Sequence, residues 1–487
     1  MLNQLKQFFS SRGVGAYLVG GYLRDSLLSL PAQTEVDIAV PGDPQSTGRV
    51  LAVTLGGTYV SLSQEYGVAR VVATSGEALR WTIDIKGFSG TIQDDLSRRD
   101  FTVDAMASPL QDWDSKIHGE SLEDPFEGRQ DLAKKQIRAV NPQVFQDDPG
   151  RLLRAVRLAA RLRFMLEPDT ARLVRAESHR ITQVSGERVR DEFLALLRLD
   201  GAKGHLEVLD RLDLLCRIIP ELAITKGVDQ PKQHYWDVWG HSLHTVESAE
   251  LVTKGHQNSP IYTQVPWTAE SEEYFNQEVS DGHTRRTILK LAALFHDIAK
   301  PQTKKMDDTG RTRFLGHPEQ GATIAATRMG HMRFSSRGIA MVSKMVEHHL
   351  RPMHMKQGVD VPSRRAVYRY FRDVGDVAVD TLYLSLADHL AAKGPELSTE
   401  EWIGHARMVA YVLDAHMQAG AEAPSTDGPG KLVTGNDLMK HFGLAPGPLI
   451  GGMLEKIDEA IAAGEVSSKS EALVLASEAL RNQREGE

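Results

Sequence analysis

The sequence predicts a mixed α+β head followed by an all-α remainder, on three observations. Residues 1–110 carry short apolar runs of strand length separated by glycine turns. From about Arg151 onward, apolar residues recur three and four apart. At 487 residues the chain also exceeds what one ordinary core takes, so two to four domains are expected.

Taken in order, Leu2–Phe9 reads as a helix and Ala16–Val19 as a strand that ends at Gly20-Gly21. Tyr22–Leu28 reads as the helix that follows, and Val36–Val40, Ala69–Val72 and Thr82–Ile85 as further strands. Helical spacing then appears in Leu152–Leu162, Arg190–Leu197, Leu289–Ile298 and Ala366–Phe371. Residues 253–285 are polar and aperiodic and are expected to form an inserted surface loop. Gly420–Lys431, rich in Gly, Pro and Ala, reads as a linker to a helical tail. The expected division is a head over 1–140, a helical neck and body over 141–225, a further helical domain over 226–420 and a tail over 432–487. No repeat of fixed period is present.

No apolar run approaches the ~18–20 residues that a membrane span needs. The N-terminal segment lacks the apolar core of a signal peptide. Cys216 is the only cysteine, which excludes intramolecular disulfides and disfavours Cys-based zinc sites. Together these point to the cytoplasm and to no membrane partner. A net charge of −8 argues mildly against nucleic-acid binding. Locally the balance reverses, because Arg151–Arg163 holds five arginines and no acid.

Two segments carry chemistry. In the first, backbone N–H groups at a Gly20-Gly21 turn opening a helix are suited to an anion, and Arg24 lies one turn further on. Glu35 and Asp37 are two apart on a strand and so share a face. An isolated E-x-D is more often two solvated acids, but Asp84 in a later strand offers a third carboxylate. Three convergent carboxylates suit Mg²⁺. In the second segment, His241, His296-Asp297, His317, His348 and Asp388 occur in that order. A His-Asp pair ending an apolar helix places an imidazole and a carboxylate where they can share a cation. His349 adjoins His348, and the pattern does not say which of the two faces that cation.

The Gly20-Gly21, Arg24-Asp25 turn with its acid-x-acid strand resembles the DNA polymerase β-like nucleotidyltransferases. Asp95–Ala107 is similar to the segment DLxRRDFTxNAMA. Asp124-Pro125-Phe126 with Gly128 and Asp131-Leu132 is similar to the next characteristic block. Asp147–Arg157 is similar to EDPLRLLRAVRF, and Glu187-Arg188-Val189 with Glu192 to a neck-helix motif. In this order they resemble the class II tRNA nucleotidyltransferases and bacterial poly(A) polymerases, over roughly residues 15–195.

The resemblance implies template-independent addition of C and A to the 3′ end of tRNA, from CTP and ATP with Mg²⁺. It implies Glu35, Asp37 and Asp84 as catalytic acids, with Glu35 and Asp37 holding the metal. It places Gly20, Gly21, Arg24, Arg99, Asp100, Asp148, Arg151, Arg154 and Arg157 around the nucleotide, Asp148 and Arg151 reading its base edge. The stripe Arg151, Arg154, Arg157, Arg161 is expected to face base, triphosphate or primer. The second segment resembles the HD phosphohydrolases. It implies His241, His296, Asp297, His317, His348 and Asp388 around a divalent transition metal or Mg²⁺, and a phosphohydrolase activity coupled to tRNA end synthesis.

Three departures bear on function. Glu35 stands where the family usually has Asp, Asp147 replaces Glu, and Asp104 replaces Asn. Only Lys86–Asp94 separates Asp84 from Asp95, where CCA-adding members carry a longer flexible loop. That shortness points to an alternative, a CC-adding enzyme that leaves the terminal A to a partner. It also leaves no room for the poly(A) polymerase signature. An alternative of another class is an HD phosphohydrolase whose nucleotidyltransferase half only holds RNA.

Overall fold

The computed structural model describes every residue except 32, 64–66, 76–78, 114–120, 232–234, 256–258, 356–360, 423–431 and 486–487. The chain forms two compact units, residues 1–199 with 207–218 and residues 200–206 with 219–487.

The first unit opens with a helix, Leu2–Ser11, and a six-stranded mixed sheet. Its strands are β1 (Tyr17–Val19), β2 (Glu35–Pro41), β3 (Thr58–Ser63), β4 (Val68–Ser75), β5 (Leu79–Phe88) and β6 (Ala107–Pro109), in the order β3-β4-β5-β2-β1-β6. Only β2 and β5 pair in parallel. In β2, Val36, Ile38 and Val40 are buried while Glu35 and Asp37 take the opposite face, as period-two alternation requires. The four predicted strands appear as β1, β2, β4 and β5. Strand β3, β6 and a helix at Pro44–Leu55 were not predicted. In β3, Val60 and Leu62 remain exposed, so it lacks the buried-face pattern that marks a strand. The Pro44–Leu55 helix starts where Asp43 accepts hydrogen bonds from the backbone N–H groups of Gln45 and Ser46. After the sheet, the Arg151–Leu162 helix buries Leu152, Leu153, Ala155, Val156, Leu158 and Ala159. It packs on the Gly186–Arg198 helix.

The second unit is built on four helices, Val238–Val252, Arg285–Phe295, Ser336–His348 and Ala378–Lys393, packed on one another. A tail of three helices, Gly435–Phe442, Pro448–Ala462 and Lys469–Glu485, has its own apolar cluster around Leu438, Met453, Ile457 and Ala472. Of the predicted linker, Gly420–Glu422 end the Thr399–Glu422 helix, and 423–431 lie outside the described residues.

The predicted loop at 253–285 is a correction. It contains a helix, Ala269–Asn276, capped by Thr268, and a two-stranded ribbon, Glu278–Ser280 with His283–Thr284. Buried Phe275 stacks on Trp267 at 5.8 Å between ring centroids and meets Tyr383 edge-on at 4.7 Å. Trp402 Nε1 donates to the Ile261 carbonyl at 2.7 Å. A few widely spaced aromatic anchors hold this segment, and these leave no periodic trace in sequence.

A buried charge cluster ties the start of this unit to its core. Glu250 accepts from Lys290 Nζ at 3.0 Å, from Lys254 Nζ at 2.8 Å and from the N–H groups of Gly201 and Ala202. Burial disfavours the Glu250 carboxylate, but Lys290, Lys254 and the N–H groups of Gly201 and Ala202 together outweigh it and hold the group down at about 2. Glu250→Ala deprives Lys290, itself 2% exposed, of its carboxylate. Removing one partner of a buried pair costs about 3–5 kcal/mol. A fall of the melting midpoint on the order of 10 °C at pH 7 is expected by calorimetry. Because the folded-state pKa is depressed, this contribution is present above the ordinary glutamate range. It is lost as pH falls towards 2, so the gap between variant and wild type must narrow on acidification.

Candidate active sites in the two units

In the first unit the parallel pairing of β2 and β5 sets Asp37 opposite Asp84 and Glu35 opposite Thr82. The antiparallel pairing with β1 brings Val19 beside Asp37, so the Gly20-Gly21 turn opens directly over that carboxylate. Gly21 N–H donates to Asp37 Oδ2 at 3.2 Å. Gly20 has φ +66°, and a Cβ there would stand 2.8 Å from Asp37 Oδ2. Only glycine meets both conditions without strain. Burial pushes Asp37 up to about 6; Arg99 opposes the rise, and Asp84 and Asp104 add to it. A crowded carboxylate with hard oxygen donors and Glu35 on the same strand face fits Mg²⁺.

Asp84 stands in register beside Asp37, and Arg70 of β4 occupies it, with Nε on Oδ1 and Nη2 on Oδ2, both at 2.7 Å. Asp84, Glu35 and Asp37 all act to raise the pKa of that guanidinium, so the three acids share one neighbourhood. Arg24 is placed differently from expectation. It is 2% exposed, donates from Nε to Asp25 and from Nη1 to Asp104, and so braces the turn from inside. Asp104 also lies 3.5 Å from Arg154 Nη2. Arg99 donates to Asp95 Oδ2 from Nε and Nη2 and to the Asp104 carbonyl.

The arginine stripe is engaged within the protein. Arg154 Nε donates to Asp100, Arg157 to Glu192 and Arg161 to Asp25, while Arg151 Nη2 donates to the Arg98 carbonyl at 3.0 Å. Burial disfavours the Asp100 carboxylate, yet Arg154 holds it below the usual range. The expected stripe of ligand contacts is therefore, in this state, a set of ion pairs that dock the helix against the head and the neighbouring helix. Asp148 ends a short helix and is gripped by both terminal nitrogens of Arg188 at 2.9 Å. Against burial, that fork keeps Asp148 ionised and fixes its plane. Gly150 makes room for it, since a Cβ there would lie 2.4 Å from Arg188 Nη2.

The second unit brings together residues from five helices or their ends. His241 lies in the Val238–Val252 helix and His296-Asp297 end the Arg285–Phe295 helix. His317 opens the His317–His331 helix, and Asp388 projects from the Ala378–Lys393 helix. The last ligand position belongs to His349 and not to His348, a correction. His349 continues the buried stripe Met341, Val342, Met345, Val346, whereas His348 falls off that face. The helical spacing of that stripe is the signal that distinguishes them.

Two ligand sets result, His241–His296–Asp388 and Asp297–His317–His349. Asp297 joins them. Its Oδ2 stands 3.3 and 3.2 Å from Nε2 of His241 and His296, and its Oδ1 stands 3.3 Å from Nε2 of His317 and 3.7 Å from that of His349. His296, His317 and His349 each direct Nδ1 at a backbone carbonyl, of Ala293, Phe314 and Val346. A carbonyl only accepts, so Nδ1 carries a proton in these three rings and Nε2 is the nitrogen turned inward, free to give its lone pair to a cation. Nε2 of His241 and His296 stand 3.1 Å apart, and those of His317 and His349 3.4 Å. Imidazole nitrogens and buried carboxylates converging at these distances fit borderline divalent metals. Burial drives His349 down to about 3. Against burial, His296 and Lys300 hold Asp297 well below the usual carboxylate range. Lys300 Nζ lies 2.6 Å from both Asp297 Oδ2 and Gln230 Oε1.

Comparison with known proteins matches a known domain to each unit. Residues 16–138 match the poly A polymerase head domain, 163–225 the probable RNA and SrmB-binding site of polymerase A, and 238–393 the HD domain. A protein named A-adding tRNA nucleotidyltransferase, from Deinococcus radiodurans, is 34% identical over 464 residues, covering 94% of each chain. This chain belongs to the class II tRNA nucleotidyltransferases.

Another tRNA nucleotidyltransferase, named CC-adding and from Thermus thermophilus, is 31% identical and covers 94% of this chain and 92% of its own. The solved structure of a CCA-adding enzyme with ATP superposes with TM-score 0.63 at 21% identity, covering 98% of this chain and 94% of that one. A Thermotoga maritima CCA-adding enzyme complexed with tRNA superposes at 0.59 and 20% identity, covering 99% and 94%. As a tRNA nucleotidyltransferase with an HD domain, the chain is an enzyme whose partner is tRNA. Among the described residues no helix is long and apolar enough to cross a membrane. Sequence reasoning on this nucleotidyltransferase missed Arg70, Arg188 as the partner of Asp148, and Asp95, a fully buried anchor of Arg99.

Proposed function

We propose that this enzyme adds the two cytidines of the tRNA CCA end and stops there, in the cytoplasm. The observation that carries this reading is the connection after β5. Strand β5 ends at Phe88 and the next helix begins at Ile92. Thr91 and Asp94 close a capping box there, with Thr91 N–H donating to Asp94 Oδ2 at 2.8 Å. Switching one pocket from C to A requires a segment that moves, and a capped three-residue turn offers little. The single setting of Asp148 under Arg188 supports the same reading. A carboxylate there suits the exocyclic amine of cytosine, and Arg151 its ring acceptors.

Glu35 and Asp37 would hold Mg²⁺, which would lower the pKa of the tRNA 3′-hydroxyl and stabilise the transferring phosphoryl group. The chain's own contribution is placement. The Gly20-Gly21 backbone leaves room for the triphosphate over Asp37, and Asp100 and Arg99 flank it. The head and body, residues 1–140 and 141–225, carry this transfer. The HD domain, 226–420, would use two divalent ions on the six ligands above to hydrolyse phosphate monoesters or 2′,3′-cyclic phosphates, trimming damaged tRNA ends. The tail, 432–487, would hold the tRNA body.

A second reading, addition of the terminal A alone, is favoured by the 34% identity to the A-adding relative. The experiment supplies tRNA lacking CCA, and tRNA ending in CC, with CTP, ATP or both, and resolves products to single nucleotides. Growth by CC and no further supports the proposal. A single A added only to tRNA ending in CC establishes the second reading, and complete CCA overturns both.

A further inference from the structure

In the second unit a cavity of about 620 Å³ is lined by none of the residues of the candidate sites. The helices Arg364–Val374 and Thr399–Glu422 and the end of Pro448–Ala462 form it. Its walls include Tyr368, Phe371, Tyr411 and His416 together with Arg364 and Asp414. Phe371 and His416 are already stacked, 3.6 Å between centroids and 6° from parallel, and so make a flat platform. Arg364 and Asp414 are exposed, and among the described residues neither side chain has a hydrogen bond or ion pair. The other arginines of the Arg364–Val374 helix differ. Arg365 and Arg369 pair with Glu459, and Arg372 with Asp373.

A cavity of this size takes one nucleotide with room to spare. The ring platform suits a base face, the Asp414 carboxylate an exocyclic amine or ring N–H, and the Arg364 guanidinium a phosphate. We propose that this cavity holds an unpaired nucleotide of the bound tRNA and acts as an anchor point built from residues that take no part in the chemistry. The inference rests on the reading of the chain as a tRNA enzyme and adds to it a specific contact. Cytosine, adenine and guanine each present a donor to Asp414.

The test measures tRNA affinity by filter binding at one fixed salt concentration. Stacking contributes about 1–3 kcal/mol per base, so His416→Ala, which removes the exposed ring of the platform, is expected to weaken binding roughly 5- to 100-fold. Arg364→Ala, on an exposed side chain, is expected to weaken it and reduce the salt slope by about one. His416→Phe, which keeps a flat ring, is expected to bind as wild type. Melting midpoints check that each variant is folded. Unchanged tRNA affinity in folded His416→Ala and Arg364→Ala overturns the proposal. So does a loss in His416→Phe equal to that in His416→Ala, which would show that stacking is not the interaction. Free CMP and AMP form a separate arm. If either binds wild type and its binding is lost in His416→Ala while tRNA affinity stays constant, the cavity takes free nucleotides and the tRNA assignment falls. Wild type that binds no tRNA would instead refute the underlying functional reading.

Discussion

Asp37→Ala is expected to lower nucleotide addition by at least about 10³-fold, or ~4 kcal/mol of transition-state stabilisation, with hydrolysis at the HD site unchanged. The reason lies in the sheet. Asp37 is the carboxylate on which three features converge: the in-register partner Asp84, the Gly20-Gly21 turn and the N–H of Gly21. Asp84 is already gripped by Arg70, and Glu35 sits exposed at the start of the strand, so neither can replace it. The measurement is single-turnover extension of tRNA with radiolabelled CTP, alongside hydrolysis of a cyclic phosphate by the same preparation. Retention of more than a tenth of the transfer rate would place the essential carboxylate elsewhere. Loss of both activities together would mean that the substitution acts through folding.

Asp297→Ala should produce the reciprocal phenotype. Asp297 is the one side chain that faces both ligand sets, with one oxygen towards His241 and His296 and the other towards His317 and His349. Its removal takes away the shared anion that would bind both cations. Bound metal, measured by elemental analysis after dialysis, should fall from two equivalents to less than one. Hydrolysis should fall at least about 10³-fold while transfer persists. Chelation of wild type should mimic the hydrolytic loss, and readdition of a divalent transition metal should restore it. Two tightly held equivalents in the variant would refute a shared Asp297. His348→Ala is the internal control, because that ring lies off the buried stripe and its loss should leave metal content intact.

Where an element's signal is local, its class was legible. Glu35 and Asp37 share a strand face by the period of two, and the arginines of the Arg151–Leu162 helix share a face by the period of 3.6. Motif order along residues 15–195 and the order of the histidines and aspartates in the second segment carry the family resemblance by themselves. Local periodicity fails where structure is made by partners distant in the chain. The arginine stripe illustrates this. Its side chains look available along the helix, yet Arg154, Arg157 and Arg161 meet acids 54, 35 and 136 residues away. Nothing within one helical turn reports those acids. Residues 259–285 illustrate the same limit, being held by Trp267, Phe275 and a contact with Tyr383 more than a hundred residues later.

The sequence by itself determined the fold class, the family, the acid pair of β2 and five of the six side chains that meet in the HD domain. The choice of His349 was also encoded, in the buried stripe that precedes it. Only the tertiary structure decided that Arg70 occupies Asp84, that Arg188 sets the plane of Asp148, that Arg24 is an internal brace and that Asp297 is shared. The physical reason is that periodicity within a segment records which side of an element is apolar. Which charges meet across a register or a helix pair is set by long-range packing, where each buried ion must find a partner.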